Sequence, residues 1–164
     1  MVDADLALSA HDAAFLRAAI ALSARSRDDG NHPFATIIAD ANGNVLAEAG
    51  NAHSVDCTCH AEMNAVRAVS ARMTSKMLRQ ATLYSSAEPC AMCAGGIYWS
   101  GIGRVVYALS ESRLLTITGN HPENPTLALP CRDVFSRGQR PIEVIGPRLE
   151  DEAAAVHVGF WATT

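Results

Sequence analysis

TLYSSAEPCAMCAGGIYWSGIGRVVYA, running from Thr82 to Ala108, alternates strand, helix and strand within one short span. Thr82 to Ser85 is a short strand, Pro89 breaks it, an apolar helix runs from Cys90 to about Trp99, and Arg104 to Ala108 returns as a strand. Such alternation points to an α/β domain with strands side by side and helices on both faces of the sheet. Upstream, Met63, Val66, Val69 and Met73 recur at three, three and four residues, one face of a helix beginning near His60. Phe34 to Ala39 and Val45 to Ala49 read as strands joined by Asp40-Ala-Asn-Gly43-Asn44, whose Asn-Gly pair marks a hairpin. A first helix is expected from about Ser9 to Arg25, with Ser9 or Asp12 as N-cap and Phe15, Ala18, Ala19 and Leu22 at helical spacing. The Asp28-Asp29-Gly30-Asn31 cluster stops it. Downstream, Glu111 to Ile117 is expected to be helical, the proline-bearing Gly119 to Pro130 a loop, and Ile142 to Ile145 a fifth strand. Glu150 to Trp161 should form a closing helix with Ala155, Val158 and Trp161 on one side.

The chain has 164 residues, which predicts one domain spanning 1–164. It is 49% hydrophobic and 18% charged, and 13 Lys+Arg against 17 Asp+Glu leave a net charge of −4. That balance argues against a disordered tail and against a strongly basic nucleic-acid binder. Even the uncharged run from Pro89 to Gly103 falls short of the roughly 20 apolar residues a membrane span needs. Acidic Asp3 and Asp5 stand where a signal peptide would be basic, so a cytoplasmic protein is expected. Five cysteines have little structural purpose in a reducing compartment, and clustered cysteines there more often mean metal or chemistry. Four lie at Cys57, Cys59, Cys90 and Cys93.

Two helix starts carry metal-ligand residue types, His60-Ala61-Glu62 and Pro89-Cys90-Ala91-Met92-Cys93. One His and two Cys give a zinc ion three protein ligands and leave the fourth position for water, the arrangement of a catalytic site. Cys90 and Cys93, three apart, share a helix face, and a helix N-terminus favours their thiolates. Glu62, two residues after His60, faces another way. It is read as the proton carrier, taking a proton from water and returning it to a leaving group.

The paired motifs resemble the zinc-dependent cytidine deaminase superfamily, from about Pro33 to Ala108. The resemblance implies a three-layer α/β/α fold with a mixed sheet of about five strands, one catalytic zinc per chain, and hydrolytic removal of an exocyclic amine from a nucleobase. His60 disfavours the tetrameric cytidine deaminase branch, which usually opens with Cys-Ala-Glu, and the acidic charge disfavours the branches that edit tRNA or DNA. Ile97-Tyr98-Trp99-Ser100 and Arg104-Val-Val-Tyr107 look most like the guanine deaminase branch, which extends to s-triazine compounds. That likeness implies Asn51, Phe34, Trp99 and the Ala61 backbone N–H as substrate contacts, and Glu123 as a second acidic residue acting on the substrate amine. It also implies a homodimer, and a C-terminal segment with Phe160 and Trp161 that closes over the pocket of its own chain or of a partner subunit. The substrate class expected is therefore a small guanine-type base or s-triazine, with cytosine second and tRNA adenosine last. No membrane partner is expected.

Blander readings stand beside these. The zinc could instead belong to a structural module using Cys57, Cys59, Cys90 and Cys93, although Cys-x-Cys departs from the usual spacing of such sites. Otherwise Cys57 and Cys59 are small loop residues and Cys131 is a free thiol. Glu123 could be a solvated loop carboxylate, Asn51 a turn residue, and Phe160 and Trp161 core anchors of the last helix.

Overall fold

The computed structural model describes residues 7–162; Asp3 and Asp5 lie outside them. The chain runs α1 (Ala10–Asp28), β1 (Ala35–Ala39), β2 (Val45–Gly50), α2 (Ala61–Ser70), α3 (Ser75–Leu78), β3 (Thr82–Ala87), α4 (Ala91–Ser100), β4 (Arg104–Leu109), α5 (Glu111–Thr118), α6 (Cys131–Ser136), β5 (Glu143–Ile145) and α7 (Glu150–His157). The strands form one mixed sheet in the order β2-β1-β3-β4-β5. β1 is antiparallel to both β2 and β3, whereas β3, β4 and β5 are mutually parallel. The expected three-layer α/β/α arrangement with five strands is the one observed.

The layers follow from the two-residue period of a strand, which sends neighbouring side chains to opposite faces. Leu83, Val105 and Val144 pack with Val66 and Val69 of α2, Ile97 of α4 and Phe135 of α6. Their neighbours Tyr84, Val106 and Ile145 pack on the other side with Leu16 and Ile20 of α1, Leu114 of α5 and Ala153 of α7. β1 and β3 are buried along their whole length, as central strands covered on both faces must be.

Local chemistry explains the boundaries. Ser9 is the N-cap of α1, its Oγ accepting the Asp12 N–H at 3.0 Å. Asp40 organises the hairpin, its carboxylate accepting the N–H groups of Asn42 and Asn44. α4 ends at Gly101, whose φ of 95° is left-handed and whose position would bring a Cβ within 2.5 Å of the Ser75 backbone oxygen.

Several expectations need correction. α1 buries Leu16, Ala19, Ile20 and Ser23, a face rotated from the expected one: Ala18 is exposed, and Phe15 is half-buried with its ring stacked 4.8 Å from Tyr84. α3 and α6 were not anticipated; at four and six residues they are too short to show a periodic pattern. α2 stops at Ser70, leaving Met73 in the following turn. α7 stops at His157 and buries Ala153 and His157, while Val158 is 72% exposed. Gly159, at φ 74°, then turns the chain so that Trp161 folds back and is buried.

One polar hub joins α1 to the sheet. Asp12 accepts both ends of the Arg104 guanidinium at 2.7 and 2.9 Å, the Tyr84 hydroxyl at 2.9 Å and the Ser9 hydroxyl at 2.7 Å. Arg104 also reaches Glu143 on β5 at 2.8 Å. The Arg104 hydrogen bond, aided by Ser9 and Tyr84, holds the Asp12 carboxyl well below the usual carboxylate range against the opposing effect of burial. A depressed pKa contributes stability above the unfolded value, about 4, which is lost as pH falls towards the folded value. Asp12→Ala is expected to lower the unfolding free energy by about 3 kcal/mol. Between pH 7 and pH 3 wild type should lose stability that the variant does not; parallel urea melts across that range would refute the hub.

Candidate active site and metal centre

Two strand-to-helix connections build the site: the segment 51–60 between β2 and α2, and the turn at Glu88 and Pro89 between β3 and α4. His60 and Cys90 are the N-cap residues of α2 and α4, and neither makes a side-chain capping hydrogen bond. Capping side chains normally accept first-turn N–H groups; these two turn towards each other instead. His60 Nδ1 lies 3.6 Å from Cys90 Sγ and 3.6 Å from Cys93 Sγ. A tetrahedral zinc ion about 2.3 Å from sulfur and about 2.0 Å from nitrogen would set those atoms about 3.6 Å apart, so donor types and spacing both fit zinc.

The electrostatics prepare the cluster. The Cys90 thiol is pulled down to about 4, first by its hydrogen bond with Cys93, with burial opposing and His60 assisting. Cys93 is pushed up by the same neighbour and by burial. Glu62 is buried beside the cluster, its Oε1 accepting the Ser85 hydroxyl at 3.0 Å and its Oε2 lying 3.5 Å from Cys93 Sγ. Burial, and then the neighbouring Cys90, push the Glu62 carboxyl up, which suits a group that must both take and give a proton.

His60, Glu62 and Cys90 open onto a cavity of about 400 Å³, within the size range of small-molecule sites. Phe34, Asn51 and Leu114 line it, and the loop segment 122–127 closes it on another side. A larger depression of about 490 Å³ beside the end of α1 lies apart from the cluster. Asn51 is buried, with Oδ1 accepting the His53 N–H at 2.7 Å. Ala61 is completely buried at the first position of α2. Glu123 reaches the cavity from the 119–130 loop, half-exposed and 3.0 Å from His32 Nε2.

Trp99, expected at the pocket, is not on the cavity wall. It is 81% exposed on the outer side of α4, edge-on to Tyr98, because that helix buries Cys93, Ala94, Ile97 and Ser100. Phe160 and Trp161 do not line the cavity of their own chain either; Trp161 is a core anchor whose Nε1–H donates to His157 Nδ1 at 3.0 Å. Among the described residues Cys57 and Cys59 join no metal-binding cluster, which removes the four-cysteine module. All five cysteines are unpaired.

Four titratable residues on the cavity were not singled out from the sequence. Glu88 accepts the backbone N–H groups of Glu111 and Cys131, tying α5 and α6 to the motif. Glu111 itself is pushed up to about 7, first by burial. His32 and His53 stack on each other beside Glu123. Only Glu88, next to Pro89 and Cys90, carried a local signal.

Fold and site together define a zinc-dependent hydrolytic deaminase. Residues 9–109 match the family model described as the cytidine and deoxycytidylate deaminase zinc-binding region, and the chain belongs to that family. It is 47% identical over 155 residues to a probable cytosine deaminase of Schizosaccharomyces pombe, covering 94% of each chain. It is 37% identical over 101 residues to the guanine deaminase of Bacillus subtilis, 60% of this chain and 64% of that protein. Among solved structures, a mutant of the protein NE0047 in complex with 8-azaguanine superposes with a TM-score of 0.76 at 25% identity, covering 94% of this chain and 86% of the other.

Replacing Cys57 and Cys59 together by Ser should leave one zinc per chain by elemental analysis, and Glu62→Gln should do the same. Cys90→Ser should lose the metal. Zinc loss in the Cys57, Cys59 variant would return those residues to the metal site.

Proposed function

We propose that this protein hydrolytically deaminates a small free nucleobase, with cytosine and guanine as the two leading substrates. The observation that carries the reading is the charge of the cavity. Glu62, Glu88, Glu111 and Glu123 line it, with no Lys or Arg among the lining residues. Phosphate recognition relies on cationic side chains and backbone N–H groups, so this wall favours a neutral ring bearing an amine over a nucleotide or a polynucleotide. The net charge of −4 agrees.

A zinc ion held by His60, Cys90 and Cys93 would supply a water activated for attack at neutral pH. Glu62, protonatable because it is buried, takes the proton of the attacking water and delivers it towards the departing ammonia. Phe34 offers an aromatic edge to the ring. Among the described residues Asn51 Nδ2 has no acceptor and is left to bond the base, and the Ala61 backbone N–H is the second donor in this reading. Glu123 accepts the substrate amine from the loop side. Trp99 has no part in the pocket of its own chain.

Cytosine is supported by similarity that spans nearly the whole of both chains, and guanine by a shorter but well-matched region. A single catalytic domain is supported by the same full-length similarity. A cytoplasmic setting is supported by the five unpaired cysteines; among the described residues no helix is long and apolar enough to cross a membrane. The exposed Trp99 and Met92 on α4 support a homodimer. Trp99→Ser should then lower the sedimentation mass of the zinc-loaded protein, and an unchanged dimer would exclude that face.

The substrate reading is tested by ammonia release from cytosine, guanine, isoguanine, s-triazines, adenine, their nucleosides and tRNA. Turnover of at least one free base is expected, falling by 10² to 10⁴ in Glu62→Gln. Silence on every base with turnover of tRNA would overturn it.

A further inference from the structure

Glu123 sits in a stretch without regular structure, 119–130, whose other hydrogen bonds are local. The His121 N–H bonds the Thr118 oxygen, the Asn124 N–H bonds the His121 oxygen, and Asn124 Nδ2 reaches the Thr118 hydroxyl at 3.4 Å. The contact of Glu123 with His32 is different in kind, linking positions 91 residues apart at 3.0 Å. His32 is buried and enclosed by rings: His53 stacks on it at 4.1 Å, Trp161 meets it edge-on at 5.0 Å and Phe160 at 5.9 Å. Its backbone oxygen accepts both the Ser26 hydroxyl and the Phe34 N–H. The imidazole is thus a fixed post, and its partner is an exposed carboxylate on an irregular loop.

The direction of the hydrogen bond follows from the charges. The contact with His32 holds the Glu123 carboxyl below its ordinary value, as a carboxylate with no proton to give. His32 Nε2 must therefore carry the hydrogen and donate it. Burial meanwhile lowers the His32 pKa, which favours the neutral ring with one N–H.

His32, His53 and Glu123 also bring three ligand atoms within 4.8 Å of one another. They do not make a second metal site, because the two imidazoles are stacked with their planes only 20° apart. Lone pairs lie in the ring plane, and two parallel offset planes cannot both aim at one ion about 2.0 Å from each nitrogen.

We propose that His32 is a positioning residue for the reaction: its Nε2–H holds Glu123, and with it the 119–130 loop, against the cavity that contains His60, Glu62 and Cys90. This rests on the reading that Glu123 acts on the substrate amine, so two measurements keep the two ideas separable. The first needs no substrate. Hydrogen–deuterium exchange of the 119–130 backbone in the zinc-loaded protein should quicken by tenfold or more in His32→Phe, with His32→Gln intermediate because its amide can still donate. Glu123→Ala, at an exposed position that tolerates change and with no acceptor left for the His32 N–H, should quicken the same amides if His32→Phe fails to fold. Unchanged exchange in Glu123→Ala overturns the proposal whatever the activity.

The second is a double-variant cycle on the base that wild type turns over best. His32→Phe should reduce kcat on the order of 10- to 100-fold, as expected for a misplaced group, with KM moving less. The double variant of His32→Phe and Glu123→Ala should be no slower than Glu123→Ala alone, because both act through one bond. Losses that multiply would overturn the positioning role. Quickened exchange with no change in kcat in either variant would leave the latch in place and remove Glu123 from the chemistry.

Discussion

The structure turns on two helix N-termini that give up their side-chain caps. His60 and Cys90 stand where a Ser or Asp would accept first-turn N–H groups, and each forgoes that bond, worth roughly 1 kcal/mol, to present a metal donor. For this to produce one site, α2 and α4 must begin side by side. Their packing is tight enough that a Cβ at Gly96 would come within 2.4 Å of Met63 Sδ. Parallel pairing of β3 with β4 demands a helical crossover, and α4 is that crossover. The sheet topology and the zinc cluster are two aspects of the same constraint.

Around this centre the polar groups are arranged by burial more than by ion pairing. Glu62 has no cationic side chain bonded to it; Ser85 and Cys93 are its partners, and removal from water drives its protonation upwards. The strong ion pair of the molecule, Asp12 with Arg104, is kept on the far face, where it fastens α1 to β4. Charge that stabilises the fold and charge that serves the chemistry are separated by the sheet.

The division also explains what could be read from the sequence. His60, Glu62, Cys90 and Cys93 are legible because each pair lies within three residues and its chemistry is fixed by that spacing. The central strands are legible because their apolar runs are flanked by Gly, Pro and Asn. Trp99, assigned to the pocket by resemblance alone, lies off the cavity of its own chain, and a helix that is apolar on all sides gave no local sign of this; α4 buries Ile97 and turns the residue two positions on towards solvent. For Phe160 and Trp161 the sequence left lid and core anchor open, because nothing local shows that a left-handed Gly159 redirects the chain after a helix shorter than its pattern suggested. The partnership of His32 with Glu123 had no local signature at all, since the residues are brought together only by the completed fold.

The cavity is assembled from parts of unequal permanence. The ligands and Glu62 stand at the N-terminal ends of α2 and α4, whereas Asn124, Thr126 and Leu127 belong to a loop that meets the body through the Glu123 carboxylate on His32 and the His121 ring on Trp161. Surface loops tolerate insertion and replacement far better than packed elements. Water activation and part of the ring's surroundings are thus heritable separately: a descendant could exchange the residues around Glu123 between α5 and α6 and meet a new heterocycle with His60, Glu62, Cys90 and Cys93 untouched.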